Sequence, residues 1–131
     1  MNLNEFKHVK NITSDGIANI YLFDEIGRSV DPLTGSMKGI DGQRFADELE
    51  WLSGMDNVQK INVRINSVGG SVIDGFSIFS AIKNSPKSVD TYIDGLGASI
   101  AGIIFQAGEK RYISDFGRLM IHEPALGKPV E

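Results

Sequence analysis

The sequence predicts an α/β domain with mainly parallel strands, and three observations lead there. Short β-branched runs alternate with stretches whose apolar residues recur at helical spacing. Glycine marks the joints between them, and the order strand, turn, helix occurs twice before two short strand candidates close the pattern. At 131 residues the chain fits one domain, spanning 1–131, with room for a core that needs no disulfide or metal staple.

Each element has its own warrant. Residues 16–26, GIANIYLFDEI, form an apolar and β-branched run that stops at Gly27 and reads as a buried strand. Residues 27–40 are rich in Gly, Ser, Asp and Pro and read as loop. Asp41 can then cap a helix with Phe45, Leu49 and Leu52 on one stripe, ending near Gly54. Residues 60–66 put Ile61, Val63 and Ile65 on one strand face, and a turn follows at Ser67-Val68-Gly69-Gly70. The next segment sets Val72, Phe76, Phe79 and Ile82 at helical spacing and closes at Asn84 and Pro86. Residues 88–94 alternate Val89, Thr91 and Ile93 as a strand that Gly95 and Gly97 are expected to break. An apolar helix follows over 99–106 with Gly108 as its stop. Residues 111–114 and 118–122 are the two closing strand candidates.

Composition removes several function classes. With 41% apolar and 23% charged residues the chain belongs with soluble globular proteins. A net charge of -4, without any run of Lys or Arg, gives no footprint for nucleic acid or an anionic membrane surface. Cysteine is absent, which excludes disulfides, thiolate catalysis and cysteine-ligated zinc. The first eleven residues lack the apolar centre of a signal peptide, and no run approaches about 18 apolar residues, so a cytoplasmic protein is expected.

Three local patterns could carry chemistry. Asp94-Gly95-Leu96-Gly97-Ala98-Ser99-Ile100-Ala101-Gly102 sets a hydroxyl at a strand-to-helix joint, where backbone N–H groups of a new helix can face a developing oxyanion. The pattern is that of a nucleophile elbow, with Ala101 where such elbows usually have Gly; the alternative is a serine that only caps its helix. Asn66-Ser67-Val68-Gly69-Gly70-Ser71 lets backbone approach a ligand closely, and as the end of a parallel strand it should share an edge with Ser99; the alternative is a plain turn. No G-K-[ST] occurs and Gly95-Leu96-Gly97 lacks a third spaced glycine, which disfavours nucleotide loops. Met120-Ile121-His122-Glu123-Pro124 supplies an imidazole that could take a proton from a hydroxyl near neutral pH, or could be structural. The other histidine, His8, lies in a polar segment and reads as solvated.

Taken jointly, I-N-S-V-G-G-S at 65–71, D-G-L-G-A-S at 94–99 and L-M-I-H-E-P-A-L-G at 119–127 resemble the Clp protease proteolytic subunit. That family's pattern runs I-N-S-P-G-G, then G-x-A-A-S, then M-I-H-x-P. In this chain 29 residues separate Gly70 from Ser99 and 23 separate Ser99 from His122, in close agreement with the family. The resemblance covers about residues 16–127. It implies a ClpP/crotonase-type fold and a serine endopeptidase that cleaves peptide bonds through an acyl-enzyme, without metal or organic cofactor. Ser99 would be the nucleophile, His122 its base, and the N–H groups of Gly70 and Ile100 the oxyanion hole. A peptide or protein substrate would lie as an added strand between Gly69, Ser71 and Val72 on one side and Pro124, Ala125 and Leu126 on the other. The family also implies a homo-oligomeric ring and an AAA+ ATPase partner.

Departures accompany the match. Val68 stands where the family usually has Pro, and Gly97 where it usually has Ala. The triad Asp of the family lies several tens of residues beyond the histidine, past the helical handle region; the sequence stops at Glu131, short of both. Asp90, Asp94 and Asp115 do not match that motif position, and an imidazole lacking its carboxylate loses on the order of four decades in rate. The stretch TYIDGLGAS is similar to phage and prophage head maturation proteases. That likeness makes capsid and scaffold proteins candidate partners and a bacterial or phage-infected cytoplasm the setting. Two rival readings stay open, a crotonase-type acyl-CoA enzyme and a ClpP-like subunit that keeps the fold without turnover.

Overall fold

The structure is a computed structural model that describes residues 5–121. Strands β1 (Val9–Ile12), β2 (Ile17–Leu22), β5 (Lys60–Ser67), β6 (Val89–Ala98) and β7 (Arg111–Ile113) lie side by side in that order, and β8 (Arg118–Met120) continues the row by pairing with the far half of β6. In this sheet, among the described residues, only β1 runs antiparallel to its neighbour; the pairs β2·β5, β5·β6, β6·β7 and β6·β8 are parallel. Helices α1 (Gly42–Ser53), α2 (Val72–Lys83) and α3 (Ile100–Phe105) form the crossovers. A minor hairpin of β3 (Ser29–Val30) and β4 (Met37–Lys38) decorates the loop after β2.

Because successive parallel strands are added in one direction, right-handed crossovers stack all three helices on one face. The core lies there. Ala18, Ile20 and Leu22 of β2, Ile61, Val63 and Ile65 of β5, and Val89 and Ile93 of β6 meet Phe45, Leu49 and Leu52 of α1, Ile78 and Ile82 of α2, and Ile104 of α3. The opposite face is polar and aromatic: Arg64 lies over Tyr92, which stacks on Tyr112, while Asn19 bridges Asn11 and Asn62.

Local chemistry starts each of the two longer helices. Asp41 caps α1 by accepting the Gln43 N–H at 3.0 Å, and Ser71 caps α2 by accepting the Asp74 N–H at 3.2 Å. Two glycines let the helix starts converge: a methyl at Gly42 would lie 2.5 Å from the Asp74 carbonyl oxygen, and one at Gly75 would lie 2.1 Å from Ile100 Cγ1.

Four expectations are corrected. Gly95 and Gly97 do not break the strand, which runs on to Ala98 because its neighbours β5 and β8 supply ladder partners past both glycines. Gly108 is no helix stop; Gln106 is the cap, and Gly108 is small because Thr91 Oγ1 would lie 2.2 Å from a methyl there. The helix expected from Val72 is present as α2, which buries Gly75, Ile78 and Ile82 and packs Phe79 against the core, while Val72 and Phe76 are about half exposed. His8 is packed on Phe45 at 5.5 Å between ring centres, and burial lowers its pKa from 6.5, with nearby Glu48 opposing the shift. The strand expected over 16–26 is shorter, ending at Leu22, and Ile26 makes separate bridges to Ile40 and Gly70.

Candidate active site

Ser99 occupies the joint between β6 and α3 with φ 57° and ψ -128°, making it the sole non-glycine residue with positive φ among the described residues. An L-residue held there costs of order 1–3 kcal/mol, which the surrounding fold must supply. The anchors are visible. The Ser99 N–H donates to the Met120 carbonyl at 2.7 Å, and the Ser99 carbonyl accepts the N–H of Gly102 at 3.0 Å and of Ile103 at 3.3 Å. The hydroxyl makes no capping hydrogen bond, so the helix-cap alternative for this serine fails: a cap needs Oγ turned back toward the first helical N–H groups. Ser99 is half-buried.

The glycine turn lies against this joint. Gly69 (φ 94°) is buried, and a methyl added to it would stand 2.7 Å from the Ala98 carbonyl oxygen, 2.9 Å from Ser99 Cβ and 3.4 Å from the Ile100 nitrogen. Its neighbour Gly70 (φ 144°) meets Ile26, whose oxygen would be 2.1 Å from a Gly70 methyl. Ile26 clips the turn from behind, donating to the Gly69 carbonyl at 2.9 Å and accepting the Ser71 N–H at 2.8 Å. Ser71 also engages its carbonyl, which accepts the Gly75 N–H at 2.9 Å, and its hydroxyl, which caps α2. Val72 is exposed beside it. Neither the Gly70 nor the Ile100 N–H finds an acceptor among the described residues. Both belong to segments that begin a helix, where backbone N–H groups and the helix dipole favour negative charge.

β8 brings the chain back to the same edge. Ala98 faces Met120 in the parallel pair, and Met120 stands two residues before His122 in the sequence. His122, Pro124, Ala125 and Leu126 lie outside the described residues. The acids Asp90 and Asp94 are engaged elsewhere: Asp90 with Lys60 Nζ at 2.5 Å, and Asp94 with Arg64 at 2.7 and 2.8 Å. These contacts raise the Lys60 and Arg64 pKa values, chiefly through the side-chain hydrogen bond in each pair.

A mainly parallel sheet carrying helices on one face, with a glycine turn pressed against a strained serine at a strand-to-helix joint, defines the class. The Clp protease family model matches residues 32–130, and the chain belongs to that family. It is 32% identical over 123 residues to ATP-dependent Clp protease proteolytic subunit 2 of Corynebacterium efficiens, covering 89% of this chain and 62% of that protein. It is 36% identical over 94 residues to the corresponding subunit of Chara vulgaris, covering 64% of this chain and 43% of that one. Among solved structures it is similar to a ClpP1 mutant from Listeria monocytogenes (TM-score 0.67, 28% identity, 82% of this chain and 57% of that chain). It is also similar to the ClpP catalytic domain from Plasmodium falciparum (TM-score 0.64, 29% identity, 81% and 54%). The chain therefore spans less than two thirds of each of these relatives.

Proposed function

We propose that this chain carries the nucleophile of a Clp-type serine endopeptidase, with Ser99 attacking the scissile carbonyl and His122 taking its proton. The observation that carries this reading is the strained Ser99 backbone pressed against Gly69. A serine that merely ended a strand would relax to negative φ; strain at one polar residue at a strand-to-helix joint is what a positioned nucleophile requires. The Gly70 and Ile100 N–H groups supply two donors for the tetrahedral oxyanion, each worth on the order of 100- to 1000-fold in rate. For His122, chain connectivity supports the assignment: two residues reach at most about 7 Å beyond Met120, whose carbonyl already holds Ser99. Hydroxyl proton to imidazole, acyl to serine, proton from imidazole to the leaving amine, then water by the same route completes the cycle.

The substrate is an extended peptide adding to the Gly69–Gly70 turn as a strand, with Val72 offering an apolar contact and Pro124, Ala125 and Leu126 the facing side. Ser71 serves through the turn it anchors. Assembly into a ring, with an AAA+ ATPase or with capsid and scaffold proteins as partners, follows the family and the phage-like stretch TYIDGLGAS. Head maturation is the role this favours. Neither rival needs the Ser99 strain: a crotonase-type site uses the two N–H groups without a serine nucleophile, and a subunit without turnover has no use for a poised hydroxyl.

A protease assay on the full-length natural product tests the reading. Cleavage of an unfolded protein substrate, lost by at least about 1000-fold in Ser99→Ala and in His122→Ala, is the expected result. Activity unchanged in either variant contradicts it, and acyl-CoA turnover would point to the crotonase alternative.

A further inference from the structure

β6 reaches Ser99 only after two surplus residues. Ile65 faces Ile93, yet Ser67 faces Gly97, so β6 uses four residues where β5 uses two. Such a bulge can take many shapes, and a register slip of one residue would move Ser99 by about 3.3 Å along the strand and turn it to the other face. The catalytic arrangement tolerates far less. Register matters here because the glycine turn hangs from Ser67: the buried Ser67 Oγ accepts the Gly69 N–H at 3.1 Å, and Ser67 is the residue paired with Gly97. What fixes the bulge therefore fixes Ser99 against Gly69.

Three side chains hold it. Asn66 Oδ1 accepts the Leu96 N–H at 3.0 Å, inside the bulge. Arg64 grips the Asp94 carboxylate through Nε at 2.8 Å and Nη2 at 2.7 Å, and Ser114 Oγ donates to the Asp94 carbonyl at 3.0 Å. The Asn66 contact depends on Gly95, where an added methyl would lie 2.6 Å from Oδ1 and 3.0 Å from Cγ of Asn66. The amide fits because position 95 has no side chain.

We propose that Asn66, seated in the space left by Gly95, is a positioning residue that sets the β6 bulge and through it the placement of Ser99 against the glycine turn. This rests on the reading of Ser99 as nucleophile. Asn66 acts through the Leu96 amide and touches no reacting atom.

The test is a double-mutant cycle on the full-length natural product, using a fluorophosphonate probe whose saturation kinetics separate limiting labelling rate from apparent affinity, with amide exchange at Leu96 as a second readout. Asn66→Ala and Gly95→Ala should each slow the limiting rate by about tenfold or more with affinity unchanged. The double variant should be no slower than the slower single one. Asn66→Asp keeps the acceptor and should recover to within about threefold of the parent. Leu96 should exchange faster in Asn66→Ala. Full-rate labelling of Asn66→Ala, multiplicative losses in the double variant, or an Asn66→Asp as slow as Asn66→Ala would overturn the proposal. A parent protein that takes up no label refutes the nucleophile reading alone. The Leu96 amide then decides the positioning claim, unchanged exchange in Asn66→Ala defeating it and faster exchange with a shifted Ile100 resonance supporting it.

Discussion

Position 99 carries a stability cost that a glycine would not bear. Replacing Ser99 by Gly removes the positive-φ strain but adds the chain entropy of glycine, so a net gain of about 1 kcal/mol is expected. Urea unfolding checks this: Ser99→Gly should unfold at a higher midpoint with an unchanged slope, while Ser99→Ala, which keeps a β-carbon, should not gain. Both should lose reactivity. Gain of stability with loss of chemistry at one position is a signature that a helix cap would not give, since removing a cap destabilises. The sequence placed this serine at a strand-to-helix joint, because glycines and a change of period mark such joints. It could not reveal the strain, which arises from what β8 and the glycine turn impose on the backbone from distant positions.

Among the elements, β1 depends on α1 through one buried carboxylate. Glu48, fully buried, accepts the N–H groups of Lys7, His8 and Val9 at 2.9, 2.8 and 3.3 Å on Oε1 and the Arg44 Nε at 2.9 Å on Oε2. Glu48→Ala should cost about 3–5 kcal/mol and release the β1 amides to exchange, because three donors and a guanidinium lose their acceptor. His8 beside it makes stability depend on pH. Its folded pKa is lowered, so the unfolded chain binds the extra proton; stability is full above pH 6.5 and falls as the pH drops below that value toward the folded pKa. The charges of Glu48 and Asp41 oppose the shift and those of Arg44 and Lys7 add to it. Urea midpoints measured at pH 7.5 and 5.5 should differ more for the parent than for His8→Gln.

The same elements explain what the sequence disclosed. α1 was legible in full because Asp41, the Phe45-Leu49-Leu52 stripe and Gly54 agree on one helix. α2 was legible as a helix but not in its orientation: Val72 and Phe76 recur as regularly as Ile78 and Ile82, and the fit of Gly75 against Ile100 chooses between them. β1 and the β3–β4 hairpin escaped notice since their residues are mostly polar or few, and pairing across the chain defines them. The extension of β6 through two glycines was hidden for the same reason.

For the molecule as a whole, a helix apolar on both sides implies that both sides find cover. α2 has the core on one side and leaves Ile73 82% and Phe76 50% exposed on the other. With the ring assembly proposed above, Ile73→Glu combined with Phe76→Glu should lower the oligomeric mass seen by light scattering while the urea midpoint stays within about 0.5 kcal/mol of the parent. An unchanged mass would remove α2 from the assembly surface. Net charge offers no competing explanation, being spread rather than clustered.

The chemical state of one hydroxyl decides most directly whether this chain is a peptidase. Intact-mass and peptide mapping of the full-length natural product after treatment with a fluorophosphonate should find a single adduct, on Ser99, which disappears in Ser99→Ala and slows by about 1000-fold or more in His122→Ala. An adduct at another serine, or labelling of Ser99 that is indifferent to His122, would contradict it.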